Sequence, residues 1–199
     1  ITSIEEAFTN ADVLIALSAP GPDTIKQDWI RLMNPKSIVF TCANPVPEIY
    51  PYAAKEAGAF IVATGRGDFP NQVNNSIGFP GILKGALMVR ASKITDSMAI
   101  AAARALAAFA QRRGINPDNI VPTMEESDVF AEEAAAVAMQ AIADGVARVI
   151  ITKEEAFETA KKDISEARNA TRILTDNNLI QLPPQAMINA AMDWAIQNI

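Results

Sequence analysis

Three short apolar runs, each closed by a turn cluster and followed by a helical stretch, limit what this chain can fold into. They are residues 12–17 (DVLIAL), 37–42 (SIVFTC) and 59–63 (AFIVA). Each is shorter than a typical helix and nearly continuous in apolar side chains, the pattern of a strand covered on both faces. The first ends at Ser18-Ala19-Pro20-Gly21-Pro22, the second at Ala43-Asn44-Pro45-Val46-Pro47-Glu48, and the third runs into a long polar stretch from Thr64. Strand–loop–helix units with such short spacers predict a parallel α/β sheet with right-handed crossovers. Sheets of this kind bind ligands at the carboxyl ends of their strands. Residues 18–21, 43–45 and 64–75 are therefore predicted to converge on one rim.

Helix signals fill the intervals. Ser3 is predicted to cap a helix over 4–9, and Asp23 one over 24–33 that Asn34-Pro35 stops. A short helix over 52–57 closes at Gly58. Beyond Arg90 the chain reads as helical: Thr95 caps a strongly apolar helix to Gln111 ended by Gly114, and 115–127 form a Pro-containing connector. Asp128 is predicted to cap an Ala-rich helix that stops at Asp144-Gly145, with further helices over 153–168 and 183–199. This much apolar helical surface predicts cover for the sheet and a subunit or domain interface.

The stretch over 64–90 (TGRGDFPNQVNNSIGFPGILKGALMVR) concentrates four neutral amides, Asn71, Gln72, Asn74 and Asn75, within five positions. Such a density of donors and acceptors suits a site for a polar ligand. Phe79-Pro80-Gly81 reads as a corner that starts the following helix. Arg66-Gly67-Asp68 matches an adhesion tripeptide but reads as a tight turn in which Arg66 pairs with a carboxylate. The acidic pairs Glu5-Glu6, Glu125-Glu126, Glu132-Glu133 and Glu154-Glu155 fall at or near helix starts, where dipole and solvent account for them.

Composition removes several classes of function. The chain has no histidine, which excludes Ser-His-Asp and Cys-His catalysis and histidine zinc sites within it. Its net charge of −6 argues against a general nucleic-acid or anionic-membrane binder. No apolar run reaches membrane-spanning length, and no basic leader precedes Glu5-Glu6. A lone cysteine, Cys42, fits a reducing compartment and predicts a cytoplasmic protein; it reads as a core thiol. There is no acidic cluster at metal-ligand spacing and no G-x-G-x-x-G or Walker loop, so the sheet reads as the second half of a doubly wound nucleotide domain.

Residues 12–21 (DVLIALSAPG), 41–48 (TCANPVPE) and above all 63–90 resemble the short prokaryotic malic enzymes, and the likeness continues through Arg148 in the same order and spacing. The resemblance implies the second half of a Rossmann-like doubly wound parallel sheet followed by packed C-terminal helices. It divides the chain into a partial NAD(P)-binding domain over 1–148, without the G-x-G-x-x-G half, and a helical region over 149–199. The activity it implies is oxidative decarboxylation of (S)-malate to pyruvate and CO2, with NAD or NADP as hydride acceptor and Mn2+ or Mg2+ as Lewis acid. By the same likeness Asn44 lies by nicotinamide and substrate, Asn75 donates to a malate carboxylate, and Asn74 supports that loop or the cofactor. Ser18, Ala19 and Gly21 edge the dinucleotide. The family's catalytic Tyr and Lys and its metal ligands map onto no residue here: Lys84, Lys93, Tyr50 and Tyr52 stand outside those contexts. The resemblance thus implies a chain that is inactive alone and works with an N-terminal catalytic part of the same protein, as a homodimer. Gly67 stands where many relatives have serine. The rival readings are a non-catalytic truncated dinucleotide-binding or interaction module, and another NAD(P)-dependent oxidoreductase.

Overall fold

A computed structural model describes residues 3–181 and 183–197 of the chain. They separate into two compact units, one through Ala160 and one from Lys161.

The first unit opens with α1 (Ile4–Phe8), β1 (Val13–Ala16), α2 (Gln27–Ile30), β2 (Ile38–Thr41), α3 (Pro51–Glu56) and β3 (Ile61–Thr64). The strands form one parallel sheet in the order β1-β2-β3, with Leu14 opposite Val39 and Val39 opposite Val62. These three side chains point to one face. There Phe8, Ile30, Ile49 and Ala54 from the helices and loops close a core over them. Short strands, parallel pairing and intervening helices are as the sequence predicts.

The opposite face departs from the expected cover on both sides. Burial fades along it from Ala63 on β3, fully buried, to Phe40 on β2, half-buried, and Ile15 on β1, 64% exposed. Val13 (51%) and Leu17 (79%) are exposed with it. The continuous apolar run of β1 is therefore covered on one face by the described residues.

The predicted helix over 24–33 shrinks to the single turn of α2, whose cap residue Lys26 makes no side-chain bond. Asp23 does not cap it. The chain instead turns at Gly21–Thr24 and its Ile25 amide donates to the Glu48 carbonyl at 3.0 Å, which holds residues 21–25 out of a helix.

Three helices complete this unit: α4 (Asn75–Met88), α5 (Asp96–Arg113) and α6 (Asp128–Ala143), followed by the first turns of α7 (Lys153–Asp176). Asn74 caps α4 through the Ser76 amide at 3.0 Å. Phe79-Pro80-Gly81 is no corner: it lies inside α4. Pro80 lacks the amide that would bond one turn back, but its neighbours gain close packing. A Cβ on Gly81 would stand 2.1 Å from Glu133 Oε2, and one on Gly85 2.5 Å from the Ala134 carbonyl oxygen. Those glycines let α4 press against α6, around a core of Ala86, Val89, Met98, Ala102, Val137 and Ala141.

Thr95 caps α5 and Gly114 follows it, as predicted. Ser127, not Asp128, occupies the cap position of α6 and makes no side-chain bond there. Asp128 is the first helical residue and acts through the dipole. Glu132-Glu133 is not a solvated pair: Glu132 bonds Arg112, and Glu133 is fully buried.

α7 begins in a capping box: the Thr152 amide donates to Glu155 Oε2 at 2.8 Å and the Glu155 amide to Thr152 Oγ1 at 3.1 Å. It runs eight residues past the predicted end at Arg168, to Asp176. The second unit holds the remainder of α7 and α8 (Gln185–Gln197), two residues inside the predicted start; the predicted end at 198–199 and Leu182 lie outside the described residues. Among the described residues no helix is long and apolar enough to cross a membrane.

Candidate cofactor- and substrate-binding rim

The loops after β1, β2 and β3 meet at the carboxyl ends of the strands, and buried polar groups fix them there. Glu48, fully buried, is the hub. Its Oε1 accepts from the Ser18 amide at 2.8 Å and the Ser18 hydroxyl at 3.2 Å, and its Oε2 accepts from the Ala43 amide at 3.1 Å. One carboxyl group thus ties the first loop to the second. Sequence reading named Glu48 only as part of a turn. The signal available was a lone acid in the apolar, Pro-rich run PVPEIYP, because a charge among such neighbours is buried only with partners.

With its hydroxyl turned to Glu48, Ser18 has its side chain engaged in holding the loop. Ala19 is exposed, and its carbonyl accepts from Thr24 Oγ1 at 3.3 Å. Gly21 takes φ +149°, a conformation that favours glycine. Cys42 is half-buried, and burial first and the Glu48 carboxylate second push its thiol up, so it supplies little thiolate.

The second and third loops are joined at Asn44 and Gly65. The Asn44–Pro45 peptide is cis, and the Asn44 amide lies where a Cβ on Gly65 would touch it at 3.4 Å. Arg66 forks onto Asp68 through Nε at 2.8 Å and Nη2 at 2.6 Å, and its Nη1 donates to the Pro45 carbonyl at 3.2 Å. The expected carboxylate partner of Arg66 is therefore Asp68, whose carboxyl that bonding holds below the usual range.

The four amides of the 71–75 cluster divide by role. Asn71 is buried at φ +56°. Its Nδ2 donates to the carbonyls of Val62 at 2.9 Å and Pro117 at 2.8 Å, and its Oδ1 accepts from the Ile120 amide at 2.8 Å. It pins the loop to the 115–127 connector, with both N–H groups used and the side chain buried away from the rim surface. Gln72 packs over Gly67, where a Cβ would meet its Nε2 at 2.9 Å. Asn74 donates to the Gly65 carbonyl at 2.7 Å while its oxygen caps α4, so it supports the loop.

Asn75, the first residue of α4, is exposed, as is Asn44. Among the described residues neither side-chain amide has a hydrogen-bond partner. Asn44, Gly65, Asn74 and Asn75 thus form one contiguous edge, with the Asn74 amide engaged in the loop and cap, and those of Asn44 and Asn75 presented outward, Asn75 at the positive end of α4. A mostly apolar cavity of about 440 Å³ opens beside Asn74 and Asn75, lined by Ile77, Phe79, Leu106 and Val121.

The rim offers neutral donors and acceptors that can orient a carboxylate or a carboxamide without adding charge. It does not fit a divalent cation. Among the described residues no three acidic or cysteine side chains come together, and the buried Glu48 is already surrounded by three donors.

The model of the malic enzyme NAD-binding domain family matches residues 4–143. The bifunctional malic/malolactic enzyme of Bacillus subtilis is 42% identical over 160 residues, 80% of this chain and 38% of that protein. The NADP-dependent malic enzyme of Halomonas elongata is 40% identical over 161 residues, 73% of this chain and 38% of that one. The crystal structure of Entamoeba histolytica malic enzyme superposes with a TM-score of 0.97 at 63% identity, covering 100% of this chain and 41% of that chain. The three-stranded sheet and its flanking helices are those of a Rossmann-like NAD-binding domain. The chain spans well under half the length of each of these proteins.

Proposed function

The chain belongs to the malic enzyme NAD-binding domain family, and from that premise we propose that it is the cofactor-side part of an enzyme that oxidatively decarboxylates (S)-malate to pyruvate and CO2. The observation that carries this reading is the pair of outward amides, Asn44 and Asn75, beside an Asn74 side chain that is already engaged in holding the loop.

NAD or NADP supplies the hydride acceptor when bound. Asn75 orients malate by donating to a carboxylate, aided by the N-terminal dipole of α4. Asn44, exposed beside Gly65, would offer its amide to the nicotinamide carboxamide and the substrate. Asn74 keeps the α4 turn and Gly65 in register. Ser18, Ala19 and Gly21 line the dinucleotide with backbone groups, the Ser18 side chain being turned to Glu48. Neutral amides serve here because they fix orientation without shifting the charge balance at the reacting carbon.

No residue of this chain is assigned as base, acid or metal ligand. Mn2+ or Mg2+, with the proton-transfer residues, belongs to an N-terminal catalytic part of the same protein, and the chain alone is inactive. In that arrangement residues 1–148 are the partial cofactor domain and 149–199 a helical region. The whole is a cytoplasmic homodimer acting on malate and pyruvate. The single cysteine and the net charge of −6, unfavourable for nucleic acid, support that setting.

The test is Asn75→Ala in the full-length protein. Losing a hydrogen bond to a charged group costs about 1.5–3 kcal/mol, expected as a roughly 10–150-fold fall in malate kcat/KM. Unchanged malate kinetics would remove Asn75 from the substrate site.

A further inference from the structure

Glu133 stands in a place where a carboxyl group needs a reason. It is fully buried on α6, and neither carboxylate oxygen completes a hydrogen bond among the described residues. Its head fills a notch in α4: a Cβ on Gly81 would fall 2.1 Å from Oε2 and 2.3 Å from Cδ, and one on Gly78 3.9 Å from Oε1. The carboxyl group occupies the volume a side chain at position 81 would need. Gly78 lies about one helical turn from Asn75 and Gly81 one turn further, so the notch falls within the first two turns of α4.

We propose that Glu133 is a positioning residue for the binding rim: its head, seated in the Gly78–Gly81 notch, sets the pose of the α4 turn that presents Asn75 to malate. This rests on the malate reading above. A branched apolar side chain would fill such a space without burying a polar group. What the carboxyl group adds is dependence on a proton.

Burial is the first cause acting on Glu133 and pushes it up to about 8; the Gly81 amide beside it opposes that with a smaller effect. Other charges on the packed elements are Lys84 on α4, Asp96, Arg104, Arg112 and Arg113 on α5, Asp128 and Glu132 on α6, and Lys153, Glu154, Glu155 and Glu158 in the first turns of α7. Arg112 is bonded to Glu132 and Arg113 to Glu126. None of these charges enters among the causes acting on Glu133. Near neutrality the group is an uncharged acid that fits the notch. Above pH 8 it is an anion with no counter-charge, and the contact with α4 loosens.

The experiment measures malate KM and kcat from pH 6 to 9.5 in the full-length enzyme, for the parent, Glu133→Gln and Glu133→Met. The parent KM is expected to rise about tenfold between pH 7 and pH 9, the limit for one ionisation centred near 8 that abolishes binding. Both variants should hold the parent's pH 7 KM within about twofold and lack that rise, with the pH dependence of kcat common to all three. A variant KM profile that overlays the parent's overturns the positioning role.

Thermal unfolding of the same proteins supplies the independent arm. The parent Tm should fall relative to Glu133→Gln as pH rises from 5 to 9; parallel Tm curves overturn the seat itself. If none of the three turns over malate, the malate reading fails and the rim role with it, while the Tm comparison still decides the seat. Should Glu133→Gln fail to fold, Glu133→Met carries both arms.

Discussion

Two glutamates are fully buried in this fold, and their surroundings are opposite. Glu48 sits under the sheet loops and receives three donations from two of them. Glu133 sits between α4 and α6 against Gly78 and Gly81, with no bond completed by either oxygen among the described residues. In the first region a carboxyl group is the fastener and hydrogen bonds set the geometry. In the second, close packing sets the geometry and the carboxyl group is a guest that is tolerated only when uncharged. Burial is the same in both. The donors within reach decide what it means.

Breaking the fastener should have the largest effect. Glu48→Ala leaves the Ser18 and Ala43 amides without their acceptor. At about 1–3 kcal/mol for each stranded buried group, urea unfolding should show a loss of about 3 kcal/mol. A loss below about 1 kcal/mol would mean that water takes over the carboxyl group's work and that the loops are held by other contacts.

Crowding the guest comes next. Gly81→Ala pushes a methyl group into the Glu133 head and should cost about 2 kcal/mol, the range for overpacking. Combined with Glu133→Ala, which empties the space, most of that cost should vanish, so the double-mutant cycle should return a coupling of about 1–2 kcal/mol. Additive costs would show that the two groups do not share the notch.

The sign of the pH effect follows from the raised value of Glu133. Between the ordinary glutamate value of 4.5 and about 8, the folded chain keeps a proton that the unfolded chain has lost. Its stabilising contribution is therefore complete below pH 4.5, declines as pH rises, and is gone above about 8.

Gly67→Ala should be nearly silent. The new Cβ meets the far end of the Gln72 side chain at 2.9 Å, a group that can swing aside, so the change should stay within about 0.5 kcal/mol. A loss like that at Gly81 would mean Gln72 is fixed as firmly as Glu133.

The same contrast explains what could be read from the residues. Strands and rim loops were legible in DVLIAL, SIVFTC and AFIVA because hydrophobic runs and turn residues act locally. The caps at Ser3 and Thr95 act within three residues and are as local. What escaped depended on distant partners. The helix expected from Thr24 was cut short by the Glu48 carbonyl, far along the chain. Phe79-Pro80-Gly81 looked like a corner because proline seldom lies inside a helix; its glycine makes sense only once α6 is placed against it. Glu132 and Glu133 are identical in sequence terms, yet one reaches Arg112 and the other the interior. Among the clustered amides, composition marked the right neighbourhood. It could not separate Asn71, bonded to Val62, Pro117 and Ile120, from Asn75, whose side chain has no hydrogen-bond partner among the described residues.

Asn71 also orders events in time. Its side chain joins the end of β3 to a connector that lies beyond α4 and α5. The loop between Thr64 and Asn75 has local bonds of its own, but the Asn71 bonds to Pro117 and Ile120 form only once the chain past α5 has returned to the sheet. Contacts of such long sequence separation form slowly, since their loop entropy is lost before they stabilise anything. The bonds that tie the rim to the connector are thus expected to form after the strands that carry it.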